Sequence, residues 1–140
     1  LAGGVFEAGL GSISTAYGAE RGLSLAGATT IAGVLGFGST VLQYPCGWLA
    51  DHLSPRRLFT VAGVTLGVSS ALFALAPGWL PAVWIAAFGW GAVGGALYTL
   101  TMIRVSHDFA DSSPVAGTAA MITGYTLGGA IGPSISGAVL

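Results

Sequence analysis

The carboxylate Glu7 stands alone inside an apolar segment that runs from about Leu1 to Tyr17. If this segment is a helix that ends at Tyr17, Glu7 lies about 15 Å deeper, at about 1.5 Å per residue. That depth is near the middle of a hydrocarbon core about 30 Å thick. A carboxylate there is costly unless it is protonated, paired or hydrated. Glu7 could therefore take up and release a proton or bind a cationic group. The alternatives are a protonated carboxyl group that only packs between helices or, in another register, a residue at a helix end.

The other residues that could do chemistry do not form a recognisable catalytic or metal site. His52 and His107 are expected to lie in polar loops, and two histidines fall short of the three protein ligands of a typical catalytic zinc site. Residues 89–94 fit Gly-x-Gly-x-x-Gly but lie inside an apolar run rather than at a strand-to-helix turn, which argues against dinucleotide binding. Cys46, the single cysteine, indicates a small packing residue and excludes an internal disulfide. We predict no enzyme activity, cofactor or metal.

The composition is that of a membrane protein. Charged residues make up 6% of the chain and apolar residues 54%, whereas an ordinary soluble domain is about 25% charged. Such a chain cannot build the charged surface that keeps a soluble protein dispersed. Its four basic residues are all arginines, too few for a nucleic-acid-binding surface. The 24 glycines fit membrane helices that pack closely through small residues.

The elements that position Glu7 are five predicted transmembrane helices in one all-α domain over residues 1–140. An uncharged hairpin is predicted at residues 77–81, and Pro114 is well placed to open the last helix. The first helix is short for a span and is expected to begin upstream of Leu1. The predicted helices cover about residues 1–17, 25–50, 58–76, 81–103 and 114–140.

The arginines predict the orientation of these helices. Arg56 and Arg57 lie between the second and third helices, and Arg104 lies between the fourth and fifth. These two loops face the same side, and Arg21 alone lies on the other side. Basic residues concentrate in cytoplasmic loops, so we expect the 2–3 and 4–5 loops in the cytoplasm.

The 2–3 loop carries a motif in which Gly47 is followed by Asp51, Arg56 and Arg57. This spacing resembles the helix 2–3 signature of the major facilitator superfamily of secondary transporters. The resemblance implies an all-α integral membrane fold with six helices in each half. It also implies transport by alternating access.

The motif departs from the family pattern at two positions. His52 stands where an arginine or lysine is usual, and Ser54 stands where glycine is usual. In the family, the motif's aspartate helps to latch the cytoplasmic helix ends, and Arg104 is a reasonable partner for Asp51 here. The alternative is that these charges serve topology alone.

The last helix carries glycines four residues apart, which line one face and let another backbone approach closely. This pattern resembles the Gly-Pro motif of helix 5, which recurs in helix 11 of many facilitators. The motif residues are Gly124, Gly128, Gly132, Pro133 and Gly137.

Phrases in the second, fourth and fifth helices resemble the C-terminal half of YcaD-like permeases. The resemblance covers essentially the whole chain and implies helices 7–11 of twelve. The absent start methionine and the short first helix also favour this half. Because the two halves of such transporters are repeats, helices 1–5 stay open. The expected partners are the lipid bilayer, the N-terminal half and the last helix of the same transporter, and a small-molecule substrate. The phrases are residues 43–51, 97–98 and 124–128.

In the family, the first and fourth helices of each half flank the central cavity, which makes residues that share their inner faces candidate substrate contacts. Aromatic and small residues at this spacing more often only pack. Gln43 in the second helix is expected to bond between helices. The candidates are Ser14, Trp90, Tyr98 and Thr101.

The sequence thus predicts part of a secondary active transporter of a small solute, with Glu7 as the candidate for proton coupling, in the inner membrane of a bacterium. As a fragment it is not expected to transport alone. The rival hypothesis is a small multi-helix scaffold subunit that oligomerises through its glycine faces. A membrane enzyme is disfavoured because no nucleophile and base share a depth.

Overall fold

The computed structural model describes residues 1–75, 79–110 and 113–138. Within these ranges the chain forms six helices and no strand. The helices are α1 (Ala2–Glu20), α2 (Leu25–Val41), α3 (Gln43–His52), α4 (Pro55–Leu75), α5 (Leu80–Asp108) and α6 (Pro114–Gly137).

Three helical stretches of the described residues are long and apolar enough to cross a membrane. They are Leu25–His52, Pro55–Leu75 and Leu80–Asp108, with mean hydropathies of 1.6, 1.9 and 1.5. α1 and α6 are rich in glycine and hydroxyl-bearing residues. The all-α membrane fold expected from the sequence is confirmed.

The second predicted helix is interrupted at Leu42, which separates α2 from α3. Pro45 has no backbone N–H to donate to the Val41 carbonyl, and its ring crowds that carbonyl. The chain continues almost as a helix, since the Cys46 N–H donates to the Leu42 carbonyl at 3.0 Å. The result is one membrane-length segment with a break near its middle.

Other helix bounds also differ from the predicted ones. α4 begins at Pro55, where a proline fits the first helical turn. α5 continues to Asp108, five residues past the predicted end, because the polar residues after Ile103 extend the helix beyond the apolar run. Parts of the predicted 77–81 hairpin, the 4–5 loop and the end of the last helix lie outside the described residues, namely 76–78, 111–112 and 139–140.

α5 is the central helix and packs parallel to α2 through glycines. A Cβ built on Gly91 would overlap the Leu35 carbonyl oxygen, and one on Gly95 would overlap the Ser39 carbonyl oxygen. Residue numbers rise together along the two helices, which shows that they run in the same direction. Close backbone approach of this kind requires glycine at the contact.

α1 and α6 form a second parallel pair of the same type. A Cβ on Gly128 would overlap the Leu1 carbonyl oxygen, and one on Gly132 would lie 2.5 Å from the Val5 carbonyl oxygen. Gly124 has more room, 3.8 Å from the Leu1 nitrogen, and Gly137 has no neighbour within 4 Å. Within the motif, Gly128 and Gly132 therefore make the tight contacts, and Pro133 lies one residue beyond them inside α6.

The ends of α1, α2 and α4 meet α5 in a buried cluster that includes Ile31 and Val83. The Tyr17 hydroxyl donates to the Phe73 carbonyl at 2.6 Å, and the two rings meet edge to face. These side-chain contacts connect the end of α1, ten residues beyond Glu7, to the end of α4.

Candidate functional site

Glu7 lies between three helices and accepts hydrogen bonds from two of them. The Ser39 hydroxyl on α2 donates to Oε1 at 3.3 Å. The Tyr125 hydroxyl on α6 donates to Oε2. Gly94 on α5 lies beside the carboxylate, and a Cβ there would be 3.6 Å from Oε2. The carboxylate is therefore held in a fixed position by neutral groups from neighbouring helices.

The neighbours of Glu7 lie near the middle of their helices. Gly94 is fourteen residues from each end of α5, a distance of about 21 Å at 1.5 Å per residue. Ser39 is fourteen residues into the stretch Leu25–His52, and Tyr125 is eleven residues into α6. Glu7 thus lies at mid-depth in the helix bundle.

Two cavities meet at a pair of tyrosines beside Glu7. The first, of about 290 Å³, is lined by Glu7, Ser39, Gln43, Gly95, Tyr98, Ile122 and Tyr125. The second, of about 240 Å³, is lined by Leu1, Gly3, Leu97, Tyr98, Thr101, Met121 and Tyr125. The rings of Tyr98 and Tyr125 meet edge to face with centroids 5.1 Å apart, and they form the wall that both cavities share. We name the first of these the Glu7 cavity.

The arginines lie far from this cavity. Arg21 follows the end of α1, where its guanidinium lies 5.2 Å from the centroid of the Tyr17 ring. Arg56 and Arg57 are in the first turn of α4, and Arg104 is in the last turns of α5. In the described part of the chain, no ion pair involves Glu7.

Three of the predicted contact residues lie at or near the site. Tyr98 lines both cavities, and Thr101 lines the second, although its hydroxyl donates to the Leu97 carbonyl at 2.7 Å. Trp90 shares a narrow cavity of about 20 Å³ with Glu7, and its indole N–H donates to the Ser70 hydroxyl at 3.0 Å. That space holds little more than one water. Because Trp90 lines this space and is bonded to Ser70 of α4, it closes the site on the α4 side.

Ser14 is not at these cavities. Its side chain is 1% exposed, and its hydroxyl donates to the Gly11 carbonyl at 3.0 Å. Seven residues separate Ser14 from Glu7, which places it about 10 Å along α1. Helical spacing put both residues on one face, but packing of the far half of α1 against its neighbours buries Ser14.

The expected pairing of Arg104 with Asp51 does not occur. Arg104 Nε instead lies 2.9 Å from an Asp108 carboxylate oxygen, one helical turn further along α5. The extension of α5 to Asp108 creates this i, i+4 pair, which is favourable in a helix. Asp51 is exposed near the end of α3, and Gly47 faces α5, where a Cβ would lie 4.0 Å from Thr99 Cγ2.

The sequence did not identify Ser39 or Tyr125 as partners of Glu7. Gln43, expected to bond between helices, has an exposed side chain and lines the Glu7 cavity. A usable signal was present, since Ser39 and Tyr125 carry hydroxyls at the middle of apolar segments. A buried carboxylate needs such donors.

One comparison with known proteins gives a match. The family model described as Major Facilitator Superfamily matches residues 1–140. No curated protein and no solved structure matches the chain.

Proposed function

We propose that this chain, which belongs to the major facilitator superfamily, forms part of a secondary active transporter whose coupling group is Glu7. Membership of the family makes the chain part of a membrane transporter. The observation that supports Glu7 as the coupling group is its position at mid-depth in the bundle, beside a cavity. Transporters place substrate and coupling-ion sites near the bilayer midplane.

Glu7 is suited to alternate between a protonated and an ionised form. Its Ser39 and Tyr125 partners donate hydrogen bonds, which stabilise an ionised carboxylate. When Glu7 binds a proton, its oxygens accept less well, and the Ser39 and Tyr125 hydroxyls are held to it less tightly. Proton uptake at Glu7 would thereby change the polarity of the cavity wall.

The tightest glycine contacts are made within the chain and are not available to an oligomeric scaffold, whereas Gly63 and Gly67 of α4 have no neighbour within 4 Å of an added Cβ. The glycines that make the closest approaches, such as Gly91 and Gly128, contact helices of the same chain. They serve to build a compact bundle around Glu7. A scaffold that assembled through these faces would need them exposed.

The proposal includes a second half and an orientation. The bundle would correspond to helices 7–11 of a YcaD-like permease and would work against the other half by alternating access, with the Glu7 cavity between them. The chain would lie in a bacterial inner membrane, and the helix ends that carry Arg56 and Arg104 would face the cytoplasm. Asp51 takes no part in the Arg104–Asp108 ion pair. It would contact the helix ends of the other half in one state of the transport cycle.

The test uses the full-length protein in liposomes with an imposed pH gradient. Anionic, neutral and cationic solutes are added in turn, and an internal dye reports the collapse of the gradient. We expect at least one solute to collapse the gradient with the native protein and none with Glu7→Gln. Glu20→Gln is the matched control, since Glu20 is exposed at the end of α1, and it should behave like the native protein. Equal activity of Glu7→Gln and the native protein would exclude Glu7 as the coupling group.

A further inference from the structure

No group with a formal positive charge contacts the Glu7 carboxyl group within the described residues. Its two donors are the hydroxyls of Ser39 and Tyr125, which carry no formal charge. The nearest arginine along α5 is Arg104, ten residues from Gly94 and about 15 Å away at 1.5 Å per residue. A charge inside a low-dielectric region is strongly stabilised by an opposite charge at contact. A cation bound in the Glu7 cavity would provide the opposite charge that no arginine of these helices provides.

The wall beside the carboxylate is aromatic. Tyr98 and Tyr125 lie with ring centroids 5.1 Å apart and line the same cavity as Glu7. Aromatic faces attract ammonium groups through the negative charge above the ring, and this attraction is stronger where water is excluded. Carboxylate and rings together form a recognition surface for a cation that carries carbon substituents.

The remaining lining suits an organic ligand rather than a metal ion. Ile122 and Gly95 border the Glu7 cavity, and Leu97 and Met121 border the adjoining one. Among the described residues, Glu7 is the single carboxylate that lines either cavity, whereas divalent ions prefer several charged or carbonyl oxygens. No cluster of three or more histidine, cysteine or acidic residues occurs in the described ranges.

We propose that the Glu7 cavity binds a monovalent organic cation, an ammonium with apolar substituents, whose charge lies beside Glu7 and against the Tyr98 ring. This inference rests on the proposed transport function, because it names the class of solute. One carboxylate cannot hold a proton and balance an ammonium at the same time. Cation binding therefore displaces the proton, and the two are exchanged across the membrane.

The first test measures binding to the full-length protein in detergent by isothermal titration calorimetry. The probes are choline and 3,3-dimethylbutan-1-ol, in which an uncharged carbon replaces the choline nitrogen. The two probes share shape and differ in charge. We expect choline to bind at least about tenfold more tightly, a difference of about 1.4 kcal/mol. Equal affinity for the two probes, or no binding of either, overturns the proposal.

Variants then assign the preference to residues. Glu7→Gln should reduce the preference for choline to about twofold or less. Tyr98→Leu should weaken choline binding about fivefold or more, whereas Tyr98→Phe, which keeps the ring, should stay within about twofold of the native protein. A preference for choline that survives Glu7→Gln overturns the proposal. If Glu7→Gln does not elute as a folded protein, the proposal is tested by comparing Tyr98→Leu with Tyr98→Phe. Equal choline binding by these two variants overturns it.

Failure of this inference is distinguishable from failure of the proposed function. If neutral or anionic solutes collapse the pH gradient in a Glu7-dependent way and choline does not bind, the solute class is wrong and the coupling role of Glu7 stands. If no solute collapses the gradient in a Glu7-dependent way, the coupling role fails whatever choline does.

Discussion

The Tyr125 hydroxyl donates a hydrogen bond to the Glu7 carboxylate across 118 residues of sequence. The bond joins the middle of α6 to the first half of α1, at the level where Gly4 of α1 and Gly129 of α6 come into close contact. Glycine packing brings these two backbones near enough for a side chain on one helix to reach a carboxylate on the other. The bond therefore depends on the packing of the two helices as well as on the two side chains.

The hydroxyl of Tyr125 can be removed without removing its ring. Tyr125→Phe should leave the Tyr98 contact in place and take one donor from Glu7. Hydrogen bonds to charged groups contribute about 1.5–3 kcal/mol. We expect the rate of gradient collapse in the liposome assay to fall by about tenfold or more.

Tyr44→Phe is the matched control for that variant. Tyr44 is 83% exposed on α3 and does not line the Glu7 cavity. Its rate should stay within about twofold of the native protein. An unchanged rate for Tyr125→Phe would mean that the bond to Glu7 has no part in coupling.

Two glycines of the same motif should respond in opposite ways to an added methyl group. Gly128→Ala forces a Cβ onto the Leu1 carbonyl, and overpacking of this kind costs about 1–3 kcal/mol. Gly124→Ala would place its Cβ in ordinary van der Waals contact, 3.8 Å from the Leu1 nitrogen, and gains up to about 1 kcal/mol of helix propensity. Thermal unfolding in detergent should show a lowered midpoint for the first variant and an equal or raised midpoint for the second. The same midpoint for both would contradict the close packing of α1 on α6.

Asp51 should affect transport more than stability. The residue is exposed, and Arg104 is already paired with Asp108. Asp51→Asn should therefore change the free energy of unfolding by less than about 0.5 kcal/mol while slowing transport, because the latch with the other half loses its charge. Asp108→Asn is the comparison, since its exposed pair contributes little, and it should leave transport near the native rate. Loss of transport in Asp108→Asn and not in Asp51→Asn would reverse these assignments.

The proposed orientation can be read from cysteine labelling in intact cells. In a Cys46→Ala background, Ala19→Cys at the end of α1 should react with a membrane-impermeant maleimide, and His52→Cys at the end of α3 should not. Both positions are exposed, so reactivity reports sidedness rather than burial. The opposite pattern would place the Arg56 loop outside the cell.

Local patterns in the sequence were enough to place Glu7 near the middle of the bundle. Ten residues of helix separate it from Tyr17, and helical rise is nearly constant. The apolar runs indicate where α2 to α5 lie along the chain, since a bilayer-spanning helix needs about 20 apolar residues, but their ends differ from the predicted ones by up to five residues. Pro45 could have predicted the break at Leu42. The break was missed because the apolar run is long enough to be read as one continuous helix.

Contacts between distant segments were not predictable in the same way. The partners of Glu7 depend on which helix faces which, and no periodicity within one helix encodes that choice. The error on Arg104 has a local cause instead. The predicted helix ended at Ile103, so Asp108 was assigned to a loop rather than to the same face one turn away. Polar residues can continue a membrane helix beyond the bilayer, and hydropathy alone misses this extension.

The most direct test of the account is proton release from the full-length protein when solute binds. A cationic solute that collapses the pH gradient is added to detergent-solubilised protein in weak buffer over a range of pH values. The account predicts that the native protein releases up to about one proton per chain and that Glu7→Gln releases none, because solute and proton share one carboxylate. Equal release from Glu7→Gln, or binding without release at every pH, would contradict the assignment of Glu7 as the exchanging group.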